Sequence, residues 1–183
     1  MPSPIAHSII GSTFYFASRD SSKWRTITLL AYIIAASLPD FDFFSVVNGT
    51  LQFSNLYHRG FTHSIFFAVF IFVITALFMR ISFKKKISPF LLFVLVSHVI
   101  LDFFSFDSPE SVNGHGVQLF WPLSNEYYIS LVTFFRGPET QDLLNPISWQ
   151  SSMFDFILLI PLVAVIIYQK YFSNAQLKRE TTK

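Results

Sequence analysis

The chain has 183 residues, 52% of them hydrophobic and only 13% charged, against about 25% charged in an ordinary soluble domain. With 24 phenylalanines, that balance points away from water and toward lipid-facing, helix-packing surfaces. A net charge of +2, with Lys and Arg in no stripe interleaved with aromatics, gives no argument for nucleic-acid binding, and the absence of cysteine excludes disulfides and thiolate metal sites.

The opening Met1-Pro2-Ser3-Pro4 carries no Lys or Arg and does not read as a cleaved signal peptide. Two short apolar runs follow, Ile5 to Ala17 and Ile27 to Leu38, then a longer one from Ser64 to Ile81. Pro89 to Phe106 is a further run, interrupted by His98 and Asp102, and Phe154 to Phe172 is the last. A bilayer crossing needs about 20 residues, so the later three are long enough and the first two cross only if tilted. Between them, Asp107 to Ser152 is rich in Pro, Gly and aromatics, and a connection of that length is usually functional. Trp121, Tyr127 and Tyr128 in it suit a lid or an interfacial anchor. The reading is an all-α fold: a polytopic membrane helical bundle of about five helices, two short and three long, with a long loop before the last. It forms one membrane-embedded domain over 1–183, with a metal-site core in about 1–125, the last transmembrane helix at 154–172 and a solvated tail at 173–183.

If the helices alternate in direction, one side collects Arg19, Lys23, Arg25, Arg80, Lys84, Lys85, Lys86, Lys170, Lys178, Arg179 and Lys183, and the other only Arg59 and Arg136. Basic excess marks the cytoplasmic face, so the C-terminus is expected inside. The same threading brings all five histidines, His7, His58, His63, His98 and His115, to the non-cytoplasmic side, with Asp40, Asp42 and Asp102. Ionisable groups at membrane depth are costly unless paired, solvated or bound to metal. Imidazoles and carboxylates suit zinc above all, and also manganese or iron.

His98 and Asp102 are four residues apart, on one face of a helix, where they can share an ion, bridge two, or simply hydrogen-bond to each other. Pro39 stops the second helix and turns Asp40 and Asp42 outward. Gly60 permits a turn that aims His58 and His63 at one centre, and Thr62 can cap the next helix. Arg59 is either a phosphate-binding cation or a snorkelling interfacial residue. Alone, each of these is most simply a cap or packing residue; their weight comes from four separate segments delivering ligand-type residues to one depth.

At these residues the chain resembles the YdjM family of inner-membrane, metal-dependent hydrolases. The resemblance is carried by His7, Leu38-Pro39-Asp40-Phe41-Asp42, His58-Arg59-Gly60-Phe61-Thr62-His63-Ser64, His98-Val99-Ile100-Leu101-Asp102 and Gly116-Val117-Gln118-Leu119-Phe120-Trp121-Pro122. The family is remotely similar to zinc-dependent phospholipase C and single-strand nuclease proteins. The resemblance implies one to three divalent ions held by His7, Asp40, His58, His63, His98 and Asp102. Asp42 matches the family's acidic motif. The segment between Asp102 and Gly116 is longer than in the family and brings in His115.

The expected function is metal-assisted hydrolysis of a phosphate ester at the cell (inner) membrane. Membrane lipid is the expected partner, with a phospholipid or lipid-linked phosphate as substrate. Asp40 or Asp42 would orient the water or act as base, and Arg59 would neutralise the phosphate. Two alternatives stay open: a non-enzymatic membrane protein with a structural polar or metal site, and, ranked lowest, a metal or proton transporter.

Overall fold

Ser3 and Pro4 set the start of the first helix. Proline fits the first helical position because its missing N–H would be an orphan there anyway, and the Ser3 hydroxyl accepts from the Ala6 N–H as the N-cap. In the computed structural model this helix, α1, spans Pro4–Ala17. The structure describes residues 2–18, 25–42, 59–83, 88–105, 116–135, 149–150, 152–165 and 168.

Helix α2 covers Arg25–Ser37, and Pro39 then forces a 3₁₀ turn, Pro39–Asp42. A second 3₁₀ turn, Phe61–His63, leads into α3, Ile65–Phe83. Helix α4 runs Phe90–Phe103, and α5 runs Ser152–Val165. Among the described residues all five α-helices fall where the apolar runs predict them, and there are no strands beyond two isolated bridges.

The expected lengths need correction. Among the described residues only α3, over Ile65–Ser82, is long and apolar enough to cross a membrane by itself. Its side chains Phe66, Phe70, Ile74, Leu77, Phe78 and Ile81 point outward. Helix α4 has 14 residues, about 21 Å at 1.5 Å each. It ends at Phe103 because Ser105 folds back, its amide and hydroxyl both donating to the Asp102 carbonyl. The C-terminal part of the last apolar run, 169–172, and the tail 173–183 lie outside the described residues.

The core forms where α1, α2 and α4 meet. Gly11 permits the closest approach: a Cβ there would stand 2.7 Å from the Tyr32 carbonyl oxygen and 3.0 Å from the Ala36 Cβ. Tyr15, Tyr32, Ala36 and Val94 pack at this junction. Ala6, Ile10, Leu101, Phe135 and Leu159 form a second cluster that brings in α5.

The segment 116–135 lies across the polar end of the bundle. Val117 and Tyr128 exchange two backbone hydrogen bonds, Gln118 N–H donates to the Arg59 carbonyl, Ile65 N–H donates to Leu119, and Phe134 N–H donates to Phe104. Gly116, at φ 77°, is needed because a Cβ would meet the Tyr128 carbonyl at 2.6 Å. Trp121 packs on Phe61 at 5.3 Å between ring centroids, while Leu123 and Leu131 stand out at 78% and 104% exposure.

Candidate metal centre

His7 lies on the first turn of α1, Asp40 on the 3₁₀ turn after α2, His63 on the turn before α3, and His98 and Asp102 on the last turns of α4. These side chains converge, so consecutive helices run in opposite directions. His7, His63, His98 and Asp102 are fully buried, whereas the Asp40 side chain is 14% exposed and marks the open edge.

One oxygen of each aspartate faces the pair His63 and His98. His63 Nε2 is 3.5 Å from Asp40 Oδ1 and 3.1 Å from Asp102 Oδ2; His98 Nε2 is 3.4 Å and 3.7 Å from the same two atoms. Ligands about 2.1 Å from a tetrahedral zinc stand about 3.4 Å from one another. Asp40, His63, His98 and Asp102 can each offer one atom within 4.8 Å of all the others. The remaining oxygens turn to His7, whose Nε2 is 3.5 Å from Asp102 Oδ1 and 4.0 Å from Asp40 Oδ2. The His7 ring stacks on His98 at 4.0 Å.

Nε2 of His7 and of His98 and all four oxygens of Asp40 and Asp102 make no well-directed hydrogen bond among the described residues; what they face across the cluster is one another, as imidazole–carboxylate pairs 3.1 to 4.0 Å apart. Buried polar atoms normally make directed hydrogen bonds. Six that do not, all facing one small volume, are arranged as lone pairs around a cation, so the residues fit a divalent ion.

The outer contacts set the imidazoles for that task. A carbonyl can only accept, so His98 Nδ1–H donates to the Ala36 carbonyl at 2.6 Å, leaving Nε2 as the lone-pair nitrogen of the neutral ring. The Ala36 carbonyl is available because it belongs to the last turn of α2. His63 Nδ1 lies 3.0 Å from Thr62 Oγ1 and 3.3 Å from Asp42 Oδ2, and the Thr62 hydroxyl donates to Asp42. Asp42 therefore stands behind His63 rather than among the converging atoms. Thr62 does not cap α3 as expected; Ser64 does, accepting from Phe67 N–H at 3.0 Å.

Burial alone would pull His63 down, but Asp102, Asp40 and Asp42 hold its imidazole well above the usual value. Burial would likewise push Asp40 up, and the His98, His63 and His7 imidazoles override it, holding the carboxyl well below the usual range.

Arg59 is fully buried and takes the left-handed conformation, φ 70°, at the turn assigned from sequence to Gly60. Its Nη2 donates to Ser105 Oγ at 2.7 Å, and that hydroxyl donates to the Asp102 carbonyl. Arg59 thus braces the turn that ends α4 beside the cluster. Sequence reading overlooked Ser105, and it overlooked Asp155 on α5, buried at 0% exposure. An ionisable residue opening an otherwise apolar run was the available signal for the latter. His58 and His115 lie outside the described residues.

Comparison with known proteins agrees with the residue pattern. No solved structure matches the chain. It is 34% identical over 105 residues to the inner membrane protein YbcI of Escherichia coli (strain K12), a stretch covering 56% of this chain and 57% of that relative, so the match spans little more than half of each. The family described as YdjM inner membrane protein matches residues 1–177. Nearly the whole chain is covered, including every element of the buried cluster, and the protein therefore belongs to the YdjM family of inner membrane proteins.

Proposed function

We propose that the protein is a membrane-bound, metal-dependent hydrolase of a phosphate ester carried by a lipid or lipid-linked molecule. The observation that carries this reading is the buried convergence of ligand atoms from Asp40, His63, His98 and Asp102 within 4.8 Å of one another, with His7 against the second oxygen of each aspartate. Asp40, His63, His98 and Asp102 would hold one divalent ion, zinc in the first instance. His7, with the second oxygen of each aspartate, would hold another, and the family resemblance adds His58 to the ligand set. Ions bound there would acidify a water and neutralise charge building on the phosphoryl oxygens.

The protein's own groups have distinct tasks. Asp42 and the Ala36 carbonyl hold His63 and His98 in the tautomer that turns Nε2 inward. Arg59, held against Ser105 on the Asp102 flank, adds buried positive charge that would offset that of a phosphate at the cluster. Asp40 is on the exposed edge, the side from which a water or substrate would reach the ions it helps to hold. Membrane lipid is the partner this setting favours: the cluster lies at the ends of apolar helices, which in a bilayer would bring it near the headgroups, and the segment 116–135 bears exposed Leu123 and Leu131.

Purified protein loaded with zinc or manganese should hydrolyse a phospholipid or a generic phosphodiester. Chelation, Asp40→Ala and His98→Ala should each abolish turnover and deplete metal on elemental analysis. Bound metal in the wild type with no turnover across a broad phosphate-ester panel would refute the hydrolase and leave a structural metal centre.

A further inference from the structure

We infer that Asp155, on the last helix, is a positioning residue for the metal centre, acting on His7 through Ser3. Helix α5 is apolar and mostly outward-facing, with Phe154, Phe156, Ile157 and Ile160 exposed. Asp155 is the exception: its carboxylate is completely buried and Oδ2 accepts from the Ser3 N–H at 2.7 Å, across 152 residues of sequence. A carboxylate buried inside an apolar bundle is costly and needs a compensating role.

Ser3 is the hinge of the contact. Its N–H goes to Asp155, its hydroxyl caps Ala6, and its carbonyl accepts from the N–H of Ala6 and of His7, the latter at 3.3 Å. The charge of Asp155 also sits at the positive end of the α1 dipole. The last helix therefore holds the first turn of α1 in both rotation and depth, and His7 is on that turn. The depth of α1 decides whether His7 Nε2 stays at 3.5 Å from Asp102 Oδ1 and 4.0 Å from Asp40 Oδ2, and ligand atoms displaced by half an ångström lose much of their affinity. One turn further along α5, Leu159 joins the buried cluster of Ala6, Ile10 and Leu101. It grips the same helix by packing alone and is the natural control.

This role rests on the proposed metal centre and on His7 as one of its ligands. The experiment is zinc affinity of the full-length purified protein by chelator competition, with thermal melting of the metal-free form alongside. Removing an outer contact of a metal ligand typically costs about 10- to 100-fold in affinity. Asp155→Ala should weaken zinc binding by about 10-fold or more. Asp155→Asn keeps an acceptor oxygen and should recover most of the loss. Leu159→Ala should lower the melting temperature with zinc affinity near wild type. In a His7→Ala background, Asp155→Ala should cause no further loss. An equal loss with and without His7, no recovery by asparagine, or the same affinity loss from Leu159→Ala would each reduce Asp155 to a packing residue and overturn the inference. A wild type that takes up no zinc would overturn the metal centre itself, and this role with it.

Discussion

At the level of single residues, the centre is governed by which atom of each side chain faces inward. His63 and Asp40 show the consequence for pH. With His63 raised above 6.5, its stabilising contribution is complete below that value and fades as pH climbs through the raised one. With Asp40 depressed below 3.8, its contribution is present above that value and lost as pH falls through the depressed one. These two groups therefore favour the metal-free protein most between 3.8 and 6.5. In chelator, the melting temperature should fall as pH rises beyond that window. Zinc competes with the proton on His63, so in zinc it should rise over the same interval. Parallel curves in the two buffers would place His63 outside the ligand set. Asp42→Ala should lower zinc affinity by about 10- to 100-fold without emptying the site, because it strips the contact behind His63 rather than a ligand.

At the level of the element, α1 and α2 must lie close enough for His7 and Asp40 to meet. Gly11 is the residue that allows it, and Gly11→Ala should destabilise the protein by about 1–3 kcal/mol through overpacking. Denaturant unfolding measures this, and an unchanged midpoint would show that the two helices are not in contact there. The helices themselves were legible in the sequence. Pro4 after Ser3 announces the start of α1, Pro39 the end of α2, and the uninterrupted run from Ser64 the start of α3. The sequence points to Thr62 as the cap of α3 because a hydroxyl three residues before a helix start is equally suited to capping or to a neighbouring carboxylate, and Asp42 settles the choice only in three dimensions. The end of α4 was placed three residues late, since Phe104 and Phe106 are apolar and only the Ser105 contacts reveal the stop.

At the level of the whole molecule, the buried cluster fixes the relative direction of the helices. Arg25 opens α2 and Arg80 is in the last turn of α3, so both lie away from the His and Asp residues at the other ends of those helices. Basic residues favour the cytoplasmic side, and the metal centre is accordingly expected to face outward. The chain has no cysteine, which allows a clean test: Glu126→Cys, at an exposed polar position of the segment 116–135, should react with a membrane-impermeant maleimide in intact spheroplasts. Labelling only after lysis would invert the topology.

The sequence by itself determined the apolar runs, the helix starts at proline and serine, and the placing of His98 and Asp102 on one face of α4, because spacing along a single helix sets angle directly. The mutual positions of His7, Asp40 and His63, the division of each aspartate's oxygens between two directions, the placing of Asp42 behind His63 and the reach of Asp155 to Ser3 were decided only by the tertiary structure. Each of these depends on the depth and rotation of one helix against another. Those quantities come from close packing, such as Gly11 against Tyr32 and Ala36, and from contacts across as many as 152 residues, which no local spacing encodes.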